Sequence, residues 1–154
     1  GDSGGSTNFT PPLPEGAVVA GGGRGGGLPL VRPPYGELVA LALNTGEIAW
    51  RVPFGDTPLL RTNPALKGVT LPDRLGVSGA PGVIATKGGL ILGGGGDTAL
   101  YAFDKKTGKE VWRAELPRRS TATPMTYRAR SGRQFVVMAT GSGANASLVA
   151  WAIR

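Results

Sequence analysis

The side chains that most often do chemistry in proteins are unevenly represented in this chain. Its 154 residues include 10 Asp and Glu and 17 Lys and Arg, but neither Cys nor His. Without Cys and His, these 154 residues cannot form a disulfide scaffold, a Cys/His zinc site, a Ser-His-Asp triad or a Cys-His pair. Carboxylates and backbone carbonyls still allow sites for hard cations, and arginines allow sites for anionic ligands.

Positive charge is concentrated in the later part of the chain. The net charge is +7, whereas residues 1–36 carry two cations and two carboxylates. The densest group of cations comprises Arg113, Arg118, Arg119, Arg128, Arg130 and Arg133. Such a group is compatible with a patch for anions, nucleic acid or a membrane surface. Because only Tyr127 alternates with these arginines, we interpret them as solvated residues of strand ends and loops, and we expect no nucleic-acid partner.

Glycine and proline are concentrated near the beginning of the chain. Of the 27 Gly and 13 Pro, 17 lie in residues 1–36. The GGGRGGG stretch at 21–27 lacks the Lys-Ser/Thr pair of a phosphate-binding loop, and no helical pattern follows it. We therefore expect residues 1–34 to form an irregular segment or an insertion.

From Tyr35 onward, short apolar runs alternate with turn residues. The runs are rich in Val, Ile, Leu and aromatic residues, and Gly, Pro, Asp or Asn separates them. They span 38–43, 82–86, 90–94, 99–104, 110–116, 123–127, 134–140 and 147–153. No run keeps a helical spacing of apolar residues over three turns. The pattern predicts an all-β protein built from antiparallel hairpins.

An internal repeat relates these runs to one another. LVALALNTGEIAWRV at 38–52 aligns without gaps with LYAFDKKTGKEVWRA at 100–114, and a shorter copy, LVAWAIR, begins at Leu148. β units repeated at this spacing predict the blades of a β-propeller, each built from four strands.

The repeated residues have structural roles that follow from their types. Gly46 and Gly108 follow threonines at the tips of the predicted hairpins, where a tight turn requires a positive φ. Trp50 and Trp112 follow on the next strand, and an indole there can pack flat between adjacent blades. The repeat therefore predicts that both tryptophans are buried anchors between blades.

These residues resemble the tryptophan docking motif of quinoprotein dehydrogenases, roughly Ala-x-Asp-x-x-x-Gly-x-x-x-Trp. The second copy matches it in full with Ala102, Asp104, Gly108 and Trp112, whereas Ala42 replaces the Asp in the first copy. The resemblance implies that the first copy lacks one polar contact of its turn.

The resemblance extends beyond the motif. Residues 33–58, 79–117 and 121–143 resemble successive C-terminal segments of the branch that contains membrane glucose dehydrogenase and quinate dehydrogenase. This similarity implies that the chain forms a partial β-propeller, about two to three four-stranded blades of an eight-bladed quinoprotein propeller.

The resemblance also implies a division of the chain into blades. We expect an outer hairpin at 35–52, a connection at 53–78, a full blade at 79–117 and an incomplete last blade at 121–154. The remaining blades, including the outer strand that completes the last one, would come from other parts of the same protein.

A quinoprotein dehydrogenase oxidises a sugar or an alcohol and passes the electrons to pyrroloquinoline quinone (PQQ), beside which a calcium ion is bound. The resemblance places the catalytic Asp and the calcium ligands in earlier blades, so we expect no catalytic or metal-binding residue here and an inactive chain in isolation. It implies a periplasmic enzyme, attached to the inner membrane through a preceding region, with a membrane quinone or another electron acceptor. Two alternatives are a non-enzymatic propeller of the same repeats that acts as an outer-membrane assembly scaffold and a basic module for acidic partners.

Two short segments resemble parts of the family's cofactor pocket. They comprise Ala80, Pro81 and Gly82 before an inner strand, and Gly143, Ala144 and Asn145 in a late loop. Relatives have Trp or Leu followed by Gly-Gly at the first segment, so the small Ala80 and the proline at 81 depart from that pattern. These six residues are predicted to contact the cofactor, and their alternative role is that of ordinary turn residues.

Overall fold

The computed structural model describes residues 32–78, 82–120 and 122–153. These residues form nine strands, one short α-helix and two 3-10 helices. The strands are β1 (Glu37–Ala42), β2 (Glu47–Pro53), β3 (Val83–Ala85), β4 (Leu90–Gly94), β5 (Ala99–Asp104), β6 (Glu110–Glu115), β7 (Met125–Arg128), β8 (Gln134–Thr140) and β9 (Ser147–Ile153). The helix α1 (Pro58–Arg61) and the 3-10 helix Pro64–Leu66 interrupt the connection between β2 and β3, and the second 3-10 helix is Gly143–Asn145. In the described ranges, no helix has the length and apolar character needed to cross a bilayer.

The strands form three antiparallel sheets in chain order. The first sheet is the hairpin β1-β2, the second has the order β3-β4-β5-β6, and the third has the order β7-β8-β9. Each strand pairs with its neighbour in sequence, which is the meander expected within a propeller blade. The predicted all-β architecture is therefore confirmed, and β9 lies at the edge of the third sheet.

The sequence repeat is also a structural repeat. Ala40 pairs with Trp50 between β1 and β2, and Ala102 pairs with Trp112 between β5 and β6. In both hairpins the register shifts by a β-bulge directly after the alanine. The gapless alignment of the two segments thus reflects the same hairpin, including its irregularity.

Both hairpins turn through the predicted glycines, but their polar contacts differ. Gly46 and Gly108 have φ values of 75° and 70°. In the second turn, Asp104 Oδ1 accepts hydrogen bonds from the Thr107 hydroxyl and N–H, both 2.9 Å, and from the Lys106 N–H, 3.0 Å. These bonds, above all that from the Thr107 hydroxyl, lower the pKa of Asp104. Ala42 has no carboxylate to offer, so the first turn lacks these bonds, as predicted.

The central strand β5 is buried on both faces. Leu100 and Ala102, which point to one face, belong to an apolar cluster with Val136 and Met138 of β8. Residue volume is tightly constrained here, because a Cβ added to Gly94 would overlap the Met138 methyl group. This cluster joins the second and third sheets in the way that adjacent blades of a propeller pack.

Aromatic side chains cover the other face of β5. Tyr101 and Phe103 stack with their ring planes 25° apart and their centroids 5.9 Å apart. Phe54, directly after β2, meets both rings edge-on at 6.0 and 5.7 Å. The Arg74 guanidinium lies over the Tyr101 ring at 4.7 Å. This second cluster anchors the connection that follows β2 to the second sheet.

The two repeated tryptophans do not share the same environment. Trp50 donates a hydrogen bond from Nε1 to the Lys105 carbonyl, 3.1 Å, and its indole lies against Gly108. Trp112, in contrast, is 42% exposed and meets the edge of Trp151 at 6.1 Å. The prediction of two buried tryptophans was therefore wrong for Trp112, and Trp50 is only half-buried. No turn of the described third sheet covers the Trp112 indole in the way that Gly108 covers Trp50.

Candidate functional site

Segments of the connections β2-β3 and β6-β7 and the turns β4-β5 and β8-β9 lie together, at what we call the loop end of the sheets. It comprises residues 54–57, 74–77, 95–98, 117–120, 122–124 and 141–146. Backbone hydrogen bonds join these loops: Val77 to Phe54 (2.9 Å), Gly96 to Ser120 (3.1 Å) and Gly141 to Arg119 (2.9 Å). The predicted cofactor-contacting residues that the structure describes lie at this end.

Gly82, which precedes β3, lies directly against the segment that precedes β7. A Cβ at this position would stand 2.6 Å from the Thr123 Cα and would overlap the Thr123 hydroxyl. Only glycine therefore allows the first strands of the second and third sheets to approach each other here. Packing against Thr123 is by itself enough to require a glycine at position 82. The other two predicted residues of this segment, Ala80 and Pro81, lie outside the described residues.

The late loop is an exposed single turn of 3-10 helix. Gly143 has a φ of 55°, with no atom within 4 Å of a Cβ added there. The loop satisfies its own backbone, since the N–H groups of Asn145 and Ala146 donate to Ser142 and Gly143, both at 3.1 Å. Ala144 and Asn145 are exposed, and the Asn145 carboxamide makes no hydrogen bond within the described ranges. This carboxamide can therefore bind a polar ligand.

The segment between β6 and β7 connects the two predicted sites. It contacts Gly82 through Thr123, and Arg119 accepts the hydrogen bond from Gly141 next to the late loop. The Ser120 hydroxyl, which is buried, donates to the Ala139 carbonyl at 2.5 Å and so fixes the segment to β8. Gly82 and the late loop thus border the same segment, and their contact with a cofactor stays a prediction.

A half-buried polar network at the loop end was not predicted from the sequence. The Asp97 carboxylate accepts hydrogen bonds from the Tyr101 hydroxyl (2.5 Å) and from the N–H groups of Asp56 (2.7 Å) and Ala99 (3.1 Å). Burial, followed by the contact with Asp97, raises the pKa of Tyr101 well above its usual range. Tyr101 is therefore a permanent hydrogen-bond donor to this carboxylate.

The network continues into the connection between β2 and β3. Asp56 Oδ1 accepts a hydrogen bond from the Leu75 N–H (3.0 Å) and pairs with Arg61 (3.4 Å). Arg61 also donates to the Asp73 carbonyl at 2.7 Å. The carboxylates of Asp56 and Asp97 thus hold both ends of the connection on the second sheet. The signal that could have found them is a Gly-Asp-Thr triplet that occurs twice, at 55–57 and 96–98.

The arginines of the connection have partners within the chain. Arg61 pairs with Asp56, and Arg74 pairs with Glu110 while it covers the Tyr101 ring. These contacts hold the connection in place, and each guanidinium has a carboxylate partner.

A cavity of about 280 Å³ opens at the loop end. Asp56, Asp97 and Arg119 supply its charged groups, and the Arg119 Nε already donates to the Gly96 carbonyl at 2.9 Å. PQQ carries three carboxylates, which the two aspartates would repel. This cavity therefore does not fit the cofactor that the resemblance implies.

The described residues offer no centre for a metal ion. Within these ranges, no three acidic side chains approach closely enough to share a cation. The cofactor contacts that the resemblance implies for Gly82 and for the late loop stay a prediction. Of these residues, Asn145 offers an exposed side-chain carboxamide.

The chain is similar to known proteins over most of its length. Residues 9–136 match the protein family described as "Glucose/ethanol/alcohol dehydrogenase, beta-propeller domain" (PQQ). The chain is 42% identical over 117 residues to a probable quinate dehydrogenase (quinone) of Xanthomonas campestris pv. juglandis, and the match covers 75% of this chain and 15% of the relative. It is 37% identical over 117 residues to a quinate/shikimate dehydrogenase (quinone) of Acinetobacter baylyi, with 75% and 14% covered.

A solved structure supports the fold. The chain is similar to a europium-containing methanol dehydrogenase with a TM-score of 0.55 and 22% identity, over 75% of this chain and 16% of that one. Together with the match to the propeller domain, this likeness confirms the predicted partial β-propeller. The chain spans only 14–15% of the length of the two quinate dehydrogenases.

Proposed function

The chain belongs to the glucose/ethanol/alcohol dehydrogenase β-propeller family, and on this premise we propose that it is the C-terminal part of a PQQ-dependent dehydrogenase. The observation that carries the proposal is the similarity over 117 residues to two quinate dehydrogenases whose names give a quinone as the acceptor. The proposed substrate is an alcohol group of a sugar, a simple alcohol or a cyclic hydroxy acid.

The main contribution of this chain to the enzyme is the packing of blades. Trp50, Gly108 and Asp104 act as a tryptophan docking motif, in which the indole of one blade seals against the turn of the next. The contacts of Trp50 with Gly108 and with the Lys105 carbonyl support this role. Trp112 would have the same role towards a turn of the following blade.

Its second contribution is part of the wall of the cofactor pocket. The bound quinone would supply the hydride acceptor, with calcium as the ion that polarises it. From this chain, Ala80, Pro81, Gly82, Gly143 and Ala144 would border the cofactor. Asn145 would donate a hydrogen bond from its exposed carboxamide to a cofactor carboxylate. The catalytic Asp and the metal ligands would come from other blades.

The proposed partners and location follow from the same family. The substrate would be oxidised in the periplasm, and a membrane quinone or another acceptor would receive the electrons. The two quinate dehydrogenases favour this function over the scaffold of repeated blades, because both relatives are enzymes.

The test uses the protein that carries this chain together with its other blades. Purified enzyme is loaded with PQQ and calcium, and reduction of an artificial acceptor is followed with quinate, glucose, glycerol and ethanol. Turnover with at least one of them is expected, and turnover must disappear when PQQ is omitted. A protein that binds PQQ but oxidises none of these compounds would contradict the proposed substrate class, and one that binds no PQQ would contradict the proposal as a whole.

The pocket wall is tested by cofactor binding, separately from turnover. Asn145→Ala should weaken PQQ binding, measured by titration of the apoenzyme, by about five- to tenfold, the effect of one lost hydrogen bond of about 1–1.5 kcal/mol. Asn44→Ala, an exposed asparagine in the β1-β2 turn, is the matched control and should leave the affinity unchanged. Equal affinities for both variants would remove Asn145 from the proposed wall.

A further inference from the structure

The turns of the hairpins β1-β2, β3-β4, β5-β6 and β7-β8 lie opposite the loop end, and we call this side the turn end. It comprises residues 43–46, 86–89, 105–108 and 129–132 with the residues that flank them. The Lys105 N–H donates to the Gly89 carbonyl (2.8 Å), which joins the two turns of the second sheet. Trp50 of β2 donates to the Lys105 carbonyl (3.1 Å), which joins the first sheet to the second. Lys87 and Gln134 line one groove between the second and third sheets, which places the turn before β8 at the same end.

The turn end collects exposed cations. Seven of them lie on the turns of the second and third sheets: Lys87, Lys105, Lys106, Lys109, Arg128, Arg130 and Arg133. The carboxylates nearest to them in sequence are already engaged. Asp104 accepts three hydrogen bonds inside its own turn, and Glu110 pairs with Arg74 and Arg113. Glu47, directly after the β1-β2 turn, adds one exposed carboxylate. With seven cations against Asp104, Glu110 and Glu47, the turn end is net positive.

The seven cations of the turn end have no close ion pairs. In the described ranges, Arg51, Arg61, Arg74 and Arg113 each lie within 4.0 Å of a carboxylate, whereas Lys67, Arg118 and Arg119, outside the turn end, do not. None of the seven cations of the turn end forms such a pair with a described residue, and Arg133 lies instead over the Phe135 ring at 5.7 Å. The Asp104 carboxylate interacts electrostatically with Lys106, but no described carboxylate lies within 4.0 Å of any of the seven cations. Most of their charge is therefore available to an external anionic surface.

Apolar side chains accompany the cations at the same end. Leu43, at the β1-β2 turn, is 93% exposed. Tyr127 is 48% exposed and stacks on Phe135 with a centroid distance of 5.3 Å. Cations with amphipathic aromatics and an exposed leucine are the combination that binds the interface of an anionic bilayer. A nucleic acid would also attract the cations but would gain nothing from Leu43.

We propose that the turn end is a peripheral membrane-docking surface, with the anionic headgroups of a phospholipid bilayer as its partner. The lysines and arginines bind the headgroups, while Leu43 and Tyr127 enter the interfacial layer. The loop end, which carries the proposed pocket wall, then faces away from the bilayer and stays open to solvent. This proposal rests on surface charge and exposure and is independent of the dehydrogenase activity.

The test is co-sedimentation of the protein with vesicles of phosphatidylcholine alone or of equal parts phosphatidylcholine and phosphatidylglycerol. Binding should require the anionic lipid and weaken with added salt. Each neutralised cation should weaken it roughly fivefold, the effect of about 1 kcal/mol, so the triple variant Lys105→Gln, Lys106→Gln, Lys109→Gln should lose on the order of 100-fold. Leu43→Ser should remove the part of the binding that resists salt.

A matched triple variant separates this surface from general electrostatic attraction. Arg51→Gln, Lys67→Gln and Arg118→Gln remove the same charge away from the turn end and should keep most of the affinity. If the lysine variant folds poorly by circular dichroism, the Arg128→Gln, Arg130→Gln, Arg133→Gln variant takes its place. Equal losses for the two kinds of variant, equal binding to uncharged vesicles, or tighter binding to duplex DNA than to anionic vesicles would each overturn the proposal.

Discussion

The packing of Trp50 on the next blade can be tested with a pair of glycines that differ in one respect. Gly46 and Gly108 occupy the same place in two repeated turns, with φ values of 75° and 70°. A Cβ added to Gly46 has no atom within 4 Å, whereas one added to Gly108 stands 2.6 and 2.7 Å from two ring carbons of Trp50. Replacement of each glycine by alanine therefore creates the same backbone strain, but only one replacement displaces the indole.

The expected magnitudes follow from these contacts. Alanine at a left-handed position costs about 1–2 kcal/mol, which is the whole effect expected for Gly46→Ala. Gly108→Ala adds a steric overlap that typically costs about 1–3 kcal/mol. It also endangers the hydrogen bond from Trp50 to the Lys105 carbonyl, worth about 1 kcal/mol. Gly108→Ala should therefore lower the free energy of unfolding by about 2–4 kcal/mol more than Gly46→Ala does.

The assay is urea unfolding of both variants at low protein concentration, followed by circular dichroism and by tryptophan fluorescence. A double-mutant cycle makes it specific, because in a Trp50→Ala background the extra cost of Gly108→Ala should disappear. Equal costs for the two glycine variants would refute the packing of Trp50 on Gly108. If Gly108→Ala remains more destabilising than Gly46→Ala in the Trp50→Ala background, the extra destabilisation arises from a neighbour other than Trp50.

Four further predictions follow from the structure. Trp50→Ala should destabilise the chain by less than the roughly 3–5 kcal/mol of a core tryptophan, because Trp50 is half-buried. Trp112→Ala should cost less still, because Trp112 is 42% exposed; equal melting temperatures for the two variants would contradict the difference in packing. Tyr101→Phe removes a donor from the Asp97 carboxylate and should cost about 1.5–3 kcal/mol in urea unfolding, and a cost near zero would show that this bond adds no stability. The pKa of Asp104 is lowered in the folded state. The ionised Asp104 therefore stabilises the fold above its unfolded pKa of about 4, and this stabilisation is lost as the pH falls through the folded pKa. The free energy of unfolding of Asp104→Ala should depend less on acid pH than that of the parent. The isolated chain should associate as its concentration rises, since β9 is an edge strand, and a concentration-independent monomer in light scattering would contradict this.

Much of the fold could be predicted because local patterns encode strands and turns. The predicted runs at 90–94, 99–104, 134–140 and 147–153 coincide with β4, β5, β8 and β9. The alignment of the repeats also predicted that Trp50 and Trp112 stand at the same register of their hairpins. The short helix α1 was not predicted, because its four residues are too few to show a periodic pattern.

The candidate site was less accessible to sequence analysis. Gly82 and Asn145 were selected by resemblance, and the contact of Gly82 with Thr123 could not be read from the sequence. The network of Asp56, Asp97 and Tyr101 joins residues that lie up to 45 positions apart in the chain. In the sequence, Asp56 and Asp97 look like the aspartates of any turn. Their structural role follows only from the hydrogen-bond donors that the fold places beside them.

The sequence by itself determined the all-β class, the repeated hairpins and the family, since these depend on residue types at short and regular spacing. Only the tertiary structure decided which repeated residues are covered. Trp50 and Trp112 are equivalent in sequence, yet the first lies against Gly108 and the second is half-exposed. The difference arises because burial depends on what the neighbouring blade places over a side chain, and that neighbour is not specified by the local pattern. The same reason explains why the unpaired cations of the turn end became visible as one surface only when the three sheets were placed side by side.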